Sequence, residues 1–152
     1  MLDEQDPRQF GAYLRYRFAF KRMDEALEEG WLMEAVTIQE SILSGRILSA
    51  LHKKGIDVDT RDSFSSLIDR FRKYFEQEHE AVIGLCDHLH EWRRMRNHVI
   101  HSVCRHIDDP YDPSAVEKYE ELLFAAAREG RALVDKVRNA VAMLNRRNEK
   151  KL

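Results

Sequence analysis

Apolar residues recur at intervals of three and four along almost the whole chain and nowhere alternate with a period of two, so every element the pattern predicts is a helix. The first runs through Phe10, Tyr13, Arg17, Phe20 and Leu27, with Asp6 as N-cap, Pro7 in the first turn, Gln9 as return partner and Gly30 as its stop. The second runs from about Trp31 through Leu32, Ala35, Val36, Ile42, Leu43, Ile47, Leu48 and Leu51 to Lys53, Lys54 and Gly55, cations and a glycine that suit a C-terminus. After the polar stretch GIDVDTRD, a third begins at Asp62 or Ser63 and carries Phe64, Leu67, Ile68, Phe71 and Phe75; Glu76 to Glu80 reads equally as a break or a continuation.

The fourth helix has the seam Val82, Leu85, Leu89, Trp92, Arg96, Val99, Val103, which places an arginine where a bundle core wants methyl groups. Beyond DDPYDPS a fifth starts either at Asp112 ahead of Pro113 or at Ser114 with Glu117 as a capping box. It repeats Val116, Tyr119, Leu123, Ala126, Gly130, Leu133, Val137, Ala140 and Leu144, a stripe for the core or a subunit interface, and residues 145–152 read as a solvated tail. Together these predict one all-α domain over residues 1–152, an up-and-down bundle of four to five helices. Trp92, Tyr119 and the aromatics of the first helix are expected in its core.

The 152 residues suffice for a core that buries roughly 70% of the unfolded surface without metals or disulfides. Twenty-five basic residues against 27 acidic ones give a net charge of −2, so the bulk charge recruits neither nucleic acid nor membrane and a polyanion site has to be a local patch. The N-terminus MLDEQDPRQF does not read as a leader, and no apolar run approaches the roughly 20 residues of a membrane span. The expectation is a soluble, cytoplasmic protein without membrane association. Cys86 and Cys104 lack a framework spacing and read as idle thiols.

One such patch exists. Five of the seven histidines lie between His88 and His106, interleaved with Arg93, Arg94, Arg96 and Arg105. Imidazole moves protons near neutrality, while guanidinium is permanently charged and matches phosphate oxygens. RNA brings its own nucleophile, the 2′-hydroxyl, so a site of arginine and histidine suffices to cleave it without metal or cofactor.

The stretch Arg96, Asn97, His98, Val99, Ile100, His101 resembles the R-N-x-x-x-H signature of the HEPN superfamily, whose members are small helical bundles. The resemblance implies a homodimer with two motifs facing across a cleft, and a metal-independent endoribonuclease of the toxin–antitoxin or defence type. It assigns Arg96 to the scissile phosphate, His101 to acid–base chemistry and Asn97 to orienting the substrate or the histidine. Arg93, Arg94, His98 and Arg105 would grip the RNA, a neutralising antitoxin protein is a further expected partner, and DNA is not expected. Val103 stands where some members place a modified tyrosine, so regulation at that position is not implied. Other members have lost catalysis and bind a nucleotide, RNA or a partner protein, which gives a second functional class.

Competing explanations stand beside these. A seam arginine is usually an ion pair, a snorkelling side chain at a subunit boundary or a functional group, and Glu40, the one acid among the apolar positions of the second helix, is the candidate partner for a pair. On a regular helix Arg96 and His101 lie about 140° apart, so either the long arginine reaches round, the helix loosens, or a second subunit completes the site. His98, His101 and Cys104 step along a helix like metal ligands but lack a second motif, and Glu76 with His79 is half of a di-iron motif.

Overall fold

The chain leaves its first two helices through glycines. Gly30 (φ 76°) and Gly55 (φ 83°) adopt the left-handed conformation that a side chain resists. The residues that follow donate back to the helix, Trp31 N–H to Ala26 C=O at 2.8 Å and Ile56 N–H to Leu51 C=O at 3.0 Å, which satisfies carbonyls that otherwise lack partners. The computed structural model describes residues 7–103 and 112–151. Its helices are α1 (Pro7–Glu28), α2 (Leu32–Lys53), α3 (Phe64–Phe75), α4 (Ala81–Ser102) and α5 (Ser114–Glu149), and among the described residues there is no strand.

Local chemistry resolves the choices left open by the pattern. Ser63 is the N-cap of α3, its hydroxyl accepting from Ser66 N–H at 3.2 Å. The stretch after Phe75 is a break, and α4 restarts at Ala81. At α5 the Asp112 carboxylate accepts from both Ser114 N–H (2.9 Å) and Ser114 Oγ (2.7 Å), so Asp112 caps the helix and the Ser114–Glu117 box does not form its entry. Those hydrogen bonds from Ser114, together with Lys118 nearby, hold the Asp112 carboxyl below the usual carboxylate range. The expected N-cap Asp6 lies outside the described residues. The expected tail is helical as far as Glu149, and Arg147 donates to the Glu78 carbonyl at 2.6 Å.

α2 packs against α1, α3 and α5, and α4 packs against α3 and α5. Contacts set the directions. Tyr119 meets Met33 and Gln39 meets Ala127, so α2 and α5 run the same way; Trp92 meets Ala126 and Val99 meets Tyr119, so α4 runs oppositely. Lys54 donates to the Tyr74 carbonyl and its ammonium contacts Glu78, while Phe64, at the other end of α3, stacks edge-on against Trp92 at 6.2 Å. α3 therefore runs parallel to α2, and the segment 54–63 returns the chain to the start level, a departure from strict alternation inside the expected all-α bundle.

The core is the seam the periodicity traced: Ile42, Leu43, Ile47, Ile68, Phe71, Phe75, Leu89, Trp92 and Leu144 are almost completely buried, each stabilising by about 1.5–3 kcal/mol. A polar layer crosses it. Gln39 is fully buried and donates from Nε2 to Ala127 C=O at 2.8 Å, and Trp92 Nε1 donates to Ala126 C=O at 2.8 Å. Gly130 on α5 makes room for both: a Cβ there would lie 2.0 Å from Gln39 Oε1 and 2.8 Å from Trp92 Nε1.

The α5 stripe, open between core and interface, is core from Leu123 to Leu144. Three expectations change. Val116, at the start of that stripe, is exposed. Val103 is exposed because α4 ends before it. Among the α1 aromatics, Phe10, Tyr13 and Phe18 are 51%, 57% and 72% exposed, and only Phe20 packs against the core. α1 packs chiefly on α2, with α5 reaching it only where Arg131 meets Asp24 and Arg138 lies over Phe20, and its outer face stays open. Cys86 is buried, with its Sγ near Ile68 C=O at 3.9 Å, and burial pushes its thiol up to about 12. Cys104 lies outside the described residues.

Candidate functional site

α4 turns 100° per residue, which puts Arg96 at the centre of its buried seam, between Trp92 and Val99. The structure gives it the partner that an ionised seam residue requires. Its Nε lies 2.6 Å from Glu40 Oε2 of α2, with side-chain exposures of 21% and 24%. The two atoms are in close charge contact without the alignment of a hydrogen bond. Because α3 and α5 each lie between α2 and α4, this pair spans the bundle diagonally.

The remainder of the guanidinium turns outward. Arg96 Nη1 donates to Asn97 Oδ1 at 2.7 Å. Asn97 sits about 100° round the helix from the seam, on the flank that also carries His101 four residues on. The arginine thus reaches from a seam root toward the histidine's side. His101 is exposed, and no hydrogen bond or ion pair among the described residues joins it to Arg96 or Asn97. The single chain joins Arg96 with Asn97 and leaves the imidazole separate.

His90, Arg94, Asn97 and His101, at offsets of zero, four, seven and eleven, form a straight ridge along this flank. Within it His90 Nε2 lies 2.9 Å from Asp69 Oδ1, and Arg94 is exposed beside a cleft of about 440 Å³ shared with Asp87, His90 and Glu91. Arg93, half-buried, has its Nε buried without a hydrogen-bond partner. His98 faces solvent about 200° from the seam, its Nδ1 3.5 Å from Ser102 Oγ. Arg105 lies outside the described residues.

The α4 C-terminus is held from α5, where Tyr119 donates its hydroxyl to Val99 C=O at 2.8 Å. That bond occupies one of the last carbonyls of the helix and fixes the turn that bears His101. Sequence reasoning missed Gln39, although its place between Ala35 and Leu43 in the α2 seam was the available signal.

The metal readings find other uses for their residues. Glu76 lies 3.6 Å from Arg72, and His79 Nδ1 accepts from Ala81 N–H at 3.0 Å. The set of His98, His101 and Cys104 includes a residue outside the described part. Among the described residues no three ligating side chains gather, and no helix is long and apolar enough to cross a membrane. No protein family, curated protein or solved structure matches this chain.

Proposed function

We propose that this protein is a metal-independent endoribonuclease of toxin or defence type, acting as a homodimer through Arg96, Asn97 and His101. The observation that supports the reading is the bent path of Arg96: Glu40 anchors its Nε in the seam while Nη1 is handed to Asn97 on the histidine's flank. An arginine used only to fill a seam has no need of a second partner on the half-buried flank that leads to His101. With one face of the guanidinium tied, the site of one subunit is incomplete, and a second copy placed against the α4 ridge would add its own His101.

In this reading His101 takes the proton from the 2′-hydroxyl, the oxygen attacks the adjacent phosphorus, and the bond to the 5′-oxygen breaks. The products are a 2′,3′-cyclic phosphate and a 5′-hydroxyl, the leaving oxygen receiving its proton from the second copy's imidazole. Arg96 stabilises the extra charge on phosphorus, and Arg93, Arg94, His98 and Arg105 hold the backbone. Such a protein acts in the cytoplasm beside a neutralising partner.

The alternative, a catalytically silent helical module binding a nucleotide, RNA or a partner protein, is favoured by the same Glu40–Arg96 contact read as purely structural. His101→Ala separates the two. The residue is exposed, so the variant keeps its fold. Loss of RNA cleavage in chelator by this variant supports the enzyme; intact RNA with wild-type dimer removes it.

A further inference from the structure

The outer face of α1 has no part in the α4 site, yet it gathers four exposed large hydrophobic side chains, Phe10, Tyr13, Leu14 and Phe18. Phe10, Tyr13, Leu14, Arg17, Phe18 and Lys21 fall at offsets of 0, 3, 4, 7, 8 and 11, a single stripe two helical turns and more in length. All six are exposed. From Phe10 to Met23 the chain carries four cations and no acid, a charge of +4 set against −6 for the remainder of the sequence. Arg17 has no ion pair among the described residues, and Lys21 keeps a side-chain exposure of 76% with only a loose contact to Glu25 at 3.7 Å.

Beside the stripe the cationic character continues into a groove of about 920 Å³ between α1 and α2. Arg15 lines it from α1 and His52 and Lys53 from α2, with the hydroxyls of Ser41 and Ser49 between them. Tyr16 also lines it, with the Arg46 guanidinium stacked 4.1 Å from its ring centroid. Aromatic faces, free cations and a lined channel are thus contiguous.

We propose that the α1 stripe and this groove form a docking surface for single-stranded nucleic acid, with Phe10, Tyr13 and Phe18 as stacking faces and Arg15, Arg17 and Lys53 as phosphate contacts. Charge complementarity selects this occupant over two others. A membrane-surface helix keeps its cations at the border of the apolar face, whereas Arg17 and Lys21 lie in the middle of this one, where the acyl layer would strip their water. A second copy meeting the Phe10–Lys21 stretch symmetrically would bring like cations together, the acids of the same face, Asp24, Glu25 and Glu28, lying beyond its C-terminal end. A single strand offers both what the aromatics stack on and what the cations neutralise. Stacking and phosphate contact do not read the 2′-hydroxyl, so the surface takes single-stranded DNA as well as RNA, contrary to the expectation of RNA alone.

The inference stands on α1 and α2 and does not depend on the α4 site being catalytic. A labelled oligo-deoxythymidine of about 20 nucleotides has no 2′-hydroxyl and cannot be cleaved by the proposed chemistry, so its binding is read separately from cleavage. Fluorescence anisotropy with the full chain is expected to show binding that weakens steeply between about 50 mM and about 200 mM salt. Arg17→Glu is expected to weaken it about tenfold and Phe18→Ser at least about fivefold, with the circular dichroism of both variants unchanged because both residues are exposed. Lys136→Glu, the same charge change at an exposed site on α5, is expected to leave binding within about twofold. The proposal is overturned if no binding appears at low salt, if Lys136→Glu weakens binding as much as Arg17→Glu, or if Phe18→Ser has no effect. It is equally overturned if the stripe instead mediates binding to vesicles rich in phosphatidylserine, or self-association that Arg17→Glu abolishes.

Discussion

Removing Glu40 tests how the arginine at the centre of the site is held. The Nε–Oε2 distance of 2.6 Å puts the centres of the two delocalised charges about 4 Å apart, an attraction of about 4 kcal/mol at the effective dielectric near a protein surface. Desolvation offsets part of this. Both side chains keep between a fifth and a quarter of their exposure, so the penalty is below the several kcal/mol of a fully buried ion, and a coupling of about 2 kcal/mol is expected. Glu40→Ala and Arg96→Ala should each cost about 2–3 kcal/mol, because each leaves the other charge alone in the bundle. Glu40→Met with Arg96→Met should come within about 1 kcal/mol of wild type. The assay is a double-mutant cycle by urea unfolding, with the m-value checked for constancy. The more exposed pair Arg131–Asp24, at 3.0 Å with exposures of 32% and 49%, is the internal reference and should couple by less than about 1 kcal/mol. A Glu40–Arg96 coupling below about 0.5 kcal/mol, no larger than the reference, would refute the claim that this contact anchors the guanidinium.

The remaining expectations concern packing and titration. Gly130→Ala should cost about 3 kcal/mol or more, since its Cβ would collide with Gln39 Oε1 at 2.0 Å and displace the Gln39 and Trp92 hydrogen bonds to α5; a thermal midpoint equal to wild type would contradict the close approach. Gln39→Ala in the Gly130→Ala background should recover part of that loss, and strictly additive unfolding energies would show the two positions are not in contact. Cys86 should resist thiol reagents at pH 8 in the native state and react only on unfolding, because burial lifts its folded value from 9.0 to about 12. A thiol whose folded value is raised contributes stability that is complete below its unfolded value and is lost as pH rises from about 9 toward 12, so Cys86→Ala should lose stability less steeply than wild type over that alkaline range.

Much of the fold was legible because each signal acted locally. Gly30 and Gly55 mark helix ends through their own φ angles, and Ser63 marks a start through its own hydroxyl. The pairing of Glu40 with Arg96 was readable for a related reason: an acid and a base that each interrupt an apolar seam have few other ways to avoid lying unpaired. What failed depended on which surface covers which. Phe10, Tyr13 and Phe18 are apolar enough for a core, and nothing in their spacing tells that α1 packs chiefly on α2 and touches α5 only near Phe20 and Asp24. The α5 stripe looked long enough for a second subunit, but α2 and α4 consume it on either side. The contact from Arg96 to Asn97 was invisible to a helical wheel, which places Cβ atoms and not the far end of a long side chain.

The most direct test of the proposed function is cleavage of single-stranded RNA by purified protein in excess chelator, wild type beside His101→Ala, with the oligomeric state measured in the same buffer. The account predicts cleavage by a wild-type dimer, leaving 2′,3′-cyclic phosphate and 5′-hydroxyl ends, and none by a His101→Ala dimer that remains folded. Equal cleavage by the two proteins, or intact RNA with a clean wild-type dimer, would contradict it.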